Sequence, residues 1–199
     1  MAPRPVAAGR GASRPVSGAL LRYELPSAGE HREAEIFPWQ TRPYDLVSPP
    51  TRVSFTAALM APRSRGRFVL DPSGPRLHVG HLAEDADAAN MAEIVATTAG
   101  LLESLAKEGF LTIPDGAWWR ADDLTAAART AVSSYHHHSG TCRMGDPGAD
   151  GTVVGPDLAV LGTSGLAVAD SSVMPSLPRA NTNLASMMIG YRSGDVIPL

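Results

Sequence analysis

Tyr135-His136-His137-His138-Ser139-Gly140-Thr141-Cys142-Arg143-Met144-Gly145 is the most informative stretch of this 199-residue chain. Three consecutive histidines stand directly ahead of a Gly-Thr-Cys turn. Two further segments follow at short intervals, Val168-Ala169-Asp170-Ser171-Ser172-Val173-Met174-Pro175 and Pro178-Arg179-Ala180-Asn181-Thr182-Asn183. Between the first and second, Val153–Val160 and Leu166–Ala169 read as short strands separated by the Gly162–Gly165 turn. After the third, Leu184–Ile197 reads as a closing helix, so its N-terminus falls beside Thr182 and Asn183.

Working outward towards the N-terminus, two helices precede the histidines. Asp85 is a plausible N-cap, and Met91, Ile94, Val95, Leu101, Leu102 and Leu105 repeat at helical spacing until Gly109 stops the run. Asp122 or Asp123 caps a shorter helix through Thr130–Ser134. Val53–Met60 reads as a strand that begins with the alternation Val53, Phe55 and becomes fully apolar. Pro62–Gly66 is a turn and Arg67–Leu70 a returning strand, so the two strands are expected to form a hairpin. Asp71–Pro75 is a second turn. No element is assigned between Ala19 and Asp45. Residues 1–18 carry too little apolar surface to offset ordering entropy and are expected to be disordered. Strands and helices mixed without a βαβ repeat predict an α+β fold, with an antiparallel sheet against which helices pack.

Composition excludes several functions. A hydrophobic fraction of 44% permits a core, and a net charge of -3 gives no electrostatic case for nucleic acid or an anionic membrane. Cys142 is the only cysteine, so no intrachain disulfide can form, and it reads as a small apolar residue. No apolar run reaches the roughly 20 residues of a membrane span, and the Pro- and Gly-broken N-terminus lacks a signal-peptide apolar region. A cytoplasmic location is expected. Adjacent histidine side chains diverge on helix or strand, and His31, His78 and His81 are scattered, so no metal site is expected.

Taken in order, the three segments resemble the glucose–methanol–choline family of flavin-dependent alcohol oxidoreductases. Tyr135–Gly145 is similar to its His-x-x-Gly-Thr-Cys-x-Met-Gly signature, Val168–Pro175 to its Ala-Asp-x-Ser-x-Met-Pro segment, and Pro178–Asn183 to the Asn-x-Asn stretch opening the last helix. Met60–Gly66 is similar to a Pro-x-Ser-x-Gly turn, and His81-Leu82 with Asp85 to the lead into a long helix. Residues 1–45 are poorly matched; residues 46–199 correspond to the family's C-terminal region. That region holds the substrate-side sheet and the closing strand and helix of an incomplete FAD-binding domain.

The resemblance implies FAD as cofactor and a small-molecule alcohol as substrate. Oxidising an alcohol moves a hydride from carbon to flavin N5 while the hydroxyl loses its proton. A base with a pKa near the operating pH must stand beside the oxygen, and a second polar group must hold that oxygen in place. By register with Gly140, His137 takes the first role. Asn181 takes the second, since it can donate but cannot titrate. Asp170, Ser171, Thr182 and Asn183 match positions that contact the flavin, mostly through backbone atoms. His136 matches one against the isoalloxazine, with the last helix directing its N-terminus at the pyrimidine edge. His138 stands where the family usually has Pro.

One requirement is missing. No Gly-x-Gly-x-x-Gly turn follows a strand to hold the pyrophosphate; Gly9-x-Gly11 lies in an Arg-rich segment without one. The chain is therefore expected to be a truncated, split or remnant piece, active only with the flavin-binding half in cis or in trans and colourless alone. The alternatives are a non-catalytic binding or partner module and, further off, a small metalloprotein built on His136–His138.

Overall fold

The computed structural model describes residues 19–25, 32–41 and 52–197; the expectation of disorder over residues 1–18 lies outside them. The described residues divide into two compact units, one running to Arg63 and including Leu82–Val132, the other comprising Ser64–His81 and the chain from Ser133. The architecture is α+β, with antiparallel sheets and three α-helices among the described residues.

In the first unit, β1 (Leu21–Glu24), β2 (Glu33–Thr41) and β3 (Arg52–Leu59) form an antiparallel sheet in that order. Two of these strands occupy the stretch to which the sequence assigned no element. Alternation in β2 explains them. Ala34 and Ile36 pair with Leu59 and Ala57 of β3, and with Tyr23 and Leu21 of β1, on one face. Glu33 and Glu35 fall on the other, where Arg22 bonds Glu33 and lies 3.7 Å from Glu35. Helix α1 (Asp85–Lys107) covers the apolar face, and Ile94 joins Leu25, Ala34 and Ile36 in one cluster. Fully burying a side chain such as Ile36 or Ile94 contributes about 1.5–3 kcal/mol.

Asp85 is the first residue of α1 and Glu84 its N-cap, one residue from the expected cap. Asp85 instead receives Arg129, 2.6 Å away, which also bonds the Leu82 carbonyl. Gly109, at φ 79°, ends the helix as anticipated. Helix α2 (Leu124–Ala131) is capped by Asp123, whose carboxylate accepts from Ala126 N at 2.9 Å. It stops three residues short of Ser134 and packs Ala128 on Leu82 and Ala88.

In the second unit, β4 (Arg67–Asp71) and β5 (Gly74–His78) form a two-stranded ribbon. This corrects the expected pairing of Val53–Met60 with Arg67–Leu70: β3 pairs with β2, and β4 with β5. The Asp71–Gly74 turn decides it. Asp71 accepts from Ser73 N at 2.7 Å, and Gly74 sits at φ 118°, so β4 folds back on the residues immediately after it. The strands expected at Val153–Val160 and Leu166–Ala169 reduce to isolated bridges, Val154 with Val160 and Ala159 with Ala167. Pro156 and the left-handed Leu158, at φ 66°, interrupt the extended run. Val154, Leu158 and Val173 form the core here, and Ile189, Val196 and Ile197 pack against it. Val196 ends helix α3 (Thr182–Val196).

Candidate active site

The site lies within the second unit. Beyond α2 the chain makes a tight turn at Ser134–His138. His136 adopts the left-handed conformation at φ 60°, and its N–H donates to Ser134 Oγ at 2.9 Å. The same hydroxyl lies 3.2 Å from His138 Nε2. The three imidazoles therefore stand on a left-handed turn rather than on a helix or strand. His136 and His138 are exposed and His137 is half-buried.

Backbone hydrogen bonds fasten this loop to the second segment. Cys142 N donates to Ser172 O and Met144 N to Val173 O, each at 2.9 Å. Ser171 Oγ donates to His138 O at 3.3 Å. Asp170 caps the short turn Ser171–Val173, accepting from Ser172 N at 2.7 Å. The Ser172 hydroxyl and backbone N–H together hold the Asp170 carboxyl below the usual carboxylate range. The turn-residue role and the motif position thus coincide at Asp170.

The third segment supplies the partners of His137. Its Nδ1 lies 2.9 Å from Thr182 Oγ1, and Thr182, the first residue of α3, is only 9% exposed. When Nδ1 carries the ring hydrogen it donates to Oγ1, and Nε2 keeps its lone pair for a proton. Asn181, the N-cap residue, accepts from Tyr135 Oη at 3.3 Å through Oδ1. The Tyr135 ring meets the His137 imidazole edge to face, with centroids 4.7 Å apart at 87°. His137, Asn181 and Thr182 are thus brought together, and Ser171 and Asp170 join them through the loop. Asn183 and His136 are exposed and take no part in these contacts.

Two roles escaped the sequence. Tyr135 stood at the edge of the motif with no role assigned to it. Thr182 was expected to act through its backbone, whereas its hydroxyl holds His137. An aromatic residue two positions before a His was the available signal for the first; nothing local signalled the second, because the two residues lie 45 apart.

The residues present fit the ring end of a flavin. No side chain caps α3, so its first-turn N–H groups are free to meet an electron-rich edge, with exposed Asn181 and Asn183 beside them. None of the described residues forms a Gly-x-Gly-x-x-Gly pyrophosphate turn. Among the described residues no three His, Cys, Asp or Glu side chains converge as metal ligands, and no helix is long and apolar enough to cross a membrane.

The family model for GMC oxidoreductases matches residues 62–190. The chain belongs to the GMC oxidoreductase family. An uncharacterized GMC-type oxidoreductase of Rhodococcus erythropolis is 32% identical over 179 residues, covering 87% of this chain and 35% of that protein. An oxygen-dependent choline dehydrogenase of Brucella ovis is 32% identical over 145 residues, covering 69% of this chain and 26% of that one. The chain thus spans between about a quarter and about a third of the length of the curated relatives it matches. Among solved structures, a fungal aryl-alcohol oxidase aligns with a TM-score of 0.58 at 30% identity, over 75% of this chain and 25% of that one. A formate oxidase aligns with a TM-score of 0.66 at 24% identity over 82% and 31%, a likeness of fold.

Proposed function

We propose that this chain is the substrate-side and closing part of an FAD-dependent oxidoreductase that acts on the CH–OH group of a small alcohol. The observation that carries the proposal is the contact of His137 Nδ1 with Thr182 Oγ1 at the uncapped start of α3. It aims the other ring nitrogen away from the helix and leaves the helix N–H groups unused by side chains. FAD, when bound, supplies the acceptor for the hydride and its electron pair. Everything else falls to this chain. His137 Nε2 takes the hydroxyl proton, so that alcohol becomes carbonyl as the carbon loses hydride and the oxygen loses H⁺. Thr182 holds the ring, and Asn181 donates to the substrate oxygen. The α3 N-terminus favours negative charge at whatever ring edge it meets.

The pyrophosphate turn must come from the flavin-binding half, in cis or in trans. The outer face of α3 supports this. Ile189 and Val196 pack on the core, yet Leu184, Met187, Met188 and Tyr191 on the same helix are 77%, 63%, 56% and 82% exposed. A helix apolar on both sides calls for cover on both.

The test is co-expression with a polypeptide carrying the Gly-x-Gly-x-x-Gly half. A yellow complex is expected, against a colourless chain expressed alone. Anaerobic reduction by a saturating alcohol should slow about 10²–10⁴-fold in His137→Ala, the usual scale for a positioned acid–base group. Asn181→Ala should fall between that and wild type. His138→Pro, which removes the ring contact to Ser134 and one backbone N–H but places the usual family residue there, should be nearly silent. A His138→Ala variant as damaged as His137→Ala would refute the assignment.

A further inference from the structure

We infer that Tyr135 is a positioning residue that orients the Asn181 amide and braces the His137 ring. The inference rests on the catalytic reading above and goes beyond it, since Tyr135 itself touches no reacting atom. Three observations carry it. Tyr135 Oη donates to Asn181 Oδ1 at 3.3 Å. Its ring stands edge-on to the His137 imidazole at 4.7 Å. His137 is held on its other side by Thr182, the residue after Asn181.

A primary amide has two ends, and only its NH₂ end can donate to an alcohol or alkoxide oxygen. With Oδ1 occupied by a phenolic donor, the amide is fixed with its nitrogen turned away from Tyr135. Without that donor, rotation about the terminal torsion of Asn181 costs little, because this torsion is broad and roughly two-fold. The wrong end would then face the substrate oxygen about as often as the right one. Tyr135 therefore converts an ambiguous side chain into a directed donor. Its ring meanwhile blocks one swing of the His137 imidazole, in the edge-to-face geometry that aromatic pairs favour. One side chain thus governs the orientation of both groups assigned to the substrate oxygen.

The prediction separates ring from hydroxyl. Tyr135→Phe keeps the ring and loses the donor; Tyr135→Leu loses both. In the enzyme reconstituted with its flavin-binding half, Tyr135→Phe should lower the maximal rate of anaerobic reduction about three- to tenfold, the scale of one orienting hydrogen bond, with little change in the alcohol concentration at half-saturation. Tyr135→Leu should be worse. In the Asn181→Ala background, Tyr135→Phe should add nothing further, because its target is gone.

A second readout needs no cofactor. In the full chain alone, Tyr135→Phe should move the Asn181 side-chain NH₂ signals in a ¹H–¹⁵N spectrum, while the His137 ring signals move appreciably only in Tyr135→Leu. Unmoved Asn181 signals, or rate losses from Tyr135→Phe and Asn181→Ala that multiply in full, would overturn the inference. If Asn181→Ala and His137→Ala themselves leave the rate intact, it is the catalytic reading that fails. If they slow it while Tyr135→Phe does not, only the role of Tyr135 fails.

Discussion

Replacing Thr182 with Val tests the arrangement around His137 at its most specific contact. Valine keeps the size and branching of threonine and removes only the hydroxyl 2.9 Å from Nδ1. With Thr182 9% exposed, water cannot readily take over that position. In the resting protein the lost bond is neutral and contributes about 1 kcal/mol. As Nε2 takes a proton the ring becomes an imidazolium, and the same bond becomes charge-assisted, contributing about 1.5–3 kcal/mol. The difference, about 0.5–2 kcal/mol, is stabilisation present only in the transition state. At 1.36 kcal/mol per tenfold, it corresponds to a reduction rate about 2–30-fold slower. The assay is stopped-flow anaerobic reduction of the reconstituted protein by a saturating alcohol, with Thr182→Ser as control. Serine retains the hydroxyl and should recover most of the rate. A Thr182→Val variant within twofold of wild type, alongside a crippled His137→Ala, would mean that the His137–Thr182 contact does not serve proton uptake.

Two further predictions concern stability. Asp123→Ala removes the side chain that accepts from Ala126 N and should destabilise the unit containing α2 by about 1 kcal/mol, read as a lowered urea midpoint at unchanged slope. The depressed Asp170 pKa means that its capping contribution is present above the ordinary aspartate value and fades as pH falls through the lower folded value. Because Asp170 is exposed the effect is small: thermal melts below about pH 4 should show a downturn that Asp170→Asn lessens.

The sequence made the helices legible to within a few residues, because Met91, Ile94 and Val95 repeat at helical spacing and Asp123 and Gly109 are strong end signals. It also named the loop and the helix start that meet at the site. Pairing was less accessible. β2 contains Pro38 and carries Glu33 and Glu35, so in the sequence its alternation is masked, and Arg22 and the cover of α1 supply the reason for each face. The hairpin was misassigned because two turns flank β4, and only the φ of Gly74 and the Asp71–Ser73 bond show which one closes. At the site, divergence of the histidines is expected of adjacent residues on helix or strand, and here it comes from neither. The left-handed His136 that causes it has no signature in a run of three identical residues.

The two halves of the His137 contact are separated by 45 residues of chain, most of it turns and isolated bridges. Closing a loop of that length costs entropy that no local element repays on the way. The His137 contact therefore exists only while α3 is docked on its unit, and detachment of α3 removes it. A chain ended anywhere between Gly145 and Thr182 would keep all three histidines and the Gly-Thr-Cys turn and still lack the partner of His137. Protection of the α3 amides against solvent exchange should accordingly track the integrity of the site more closely than any signal from the histidine loop itself.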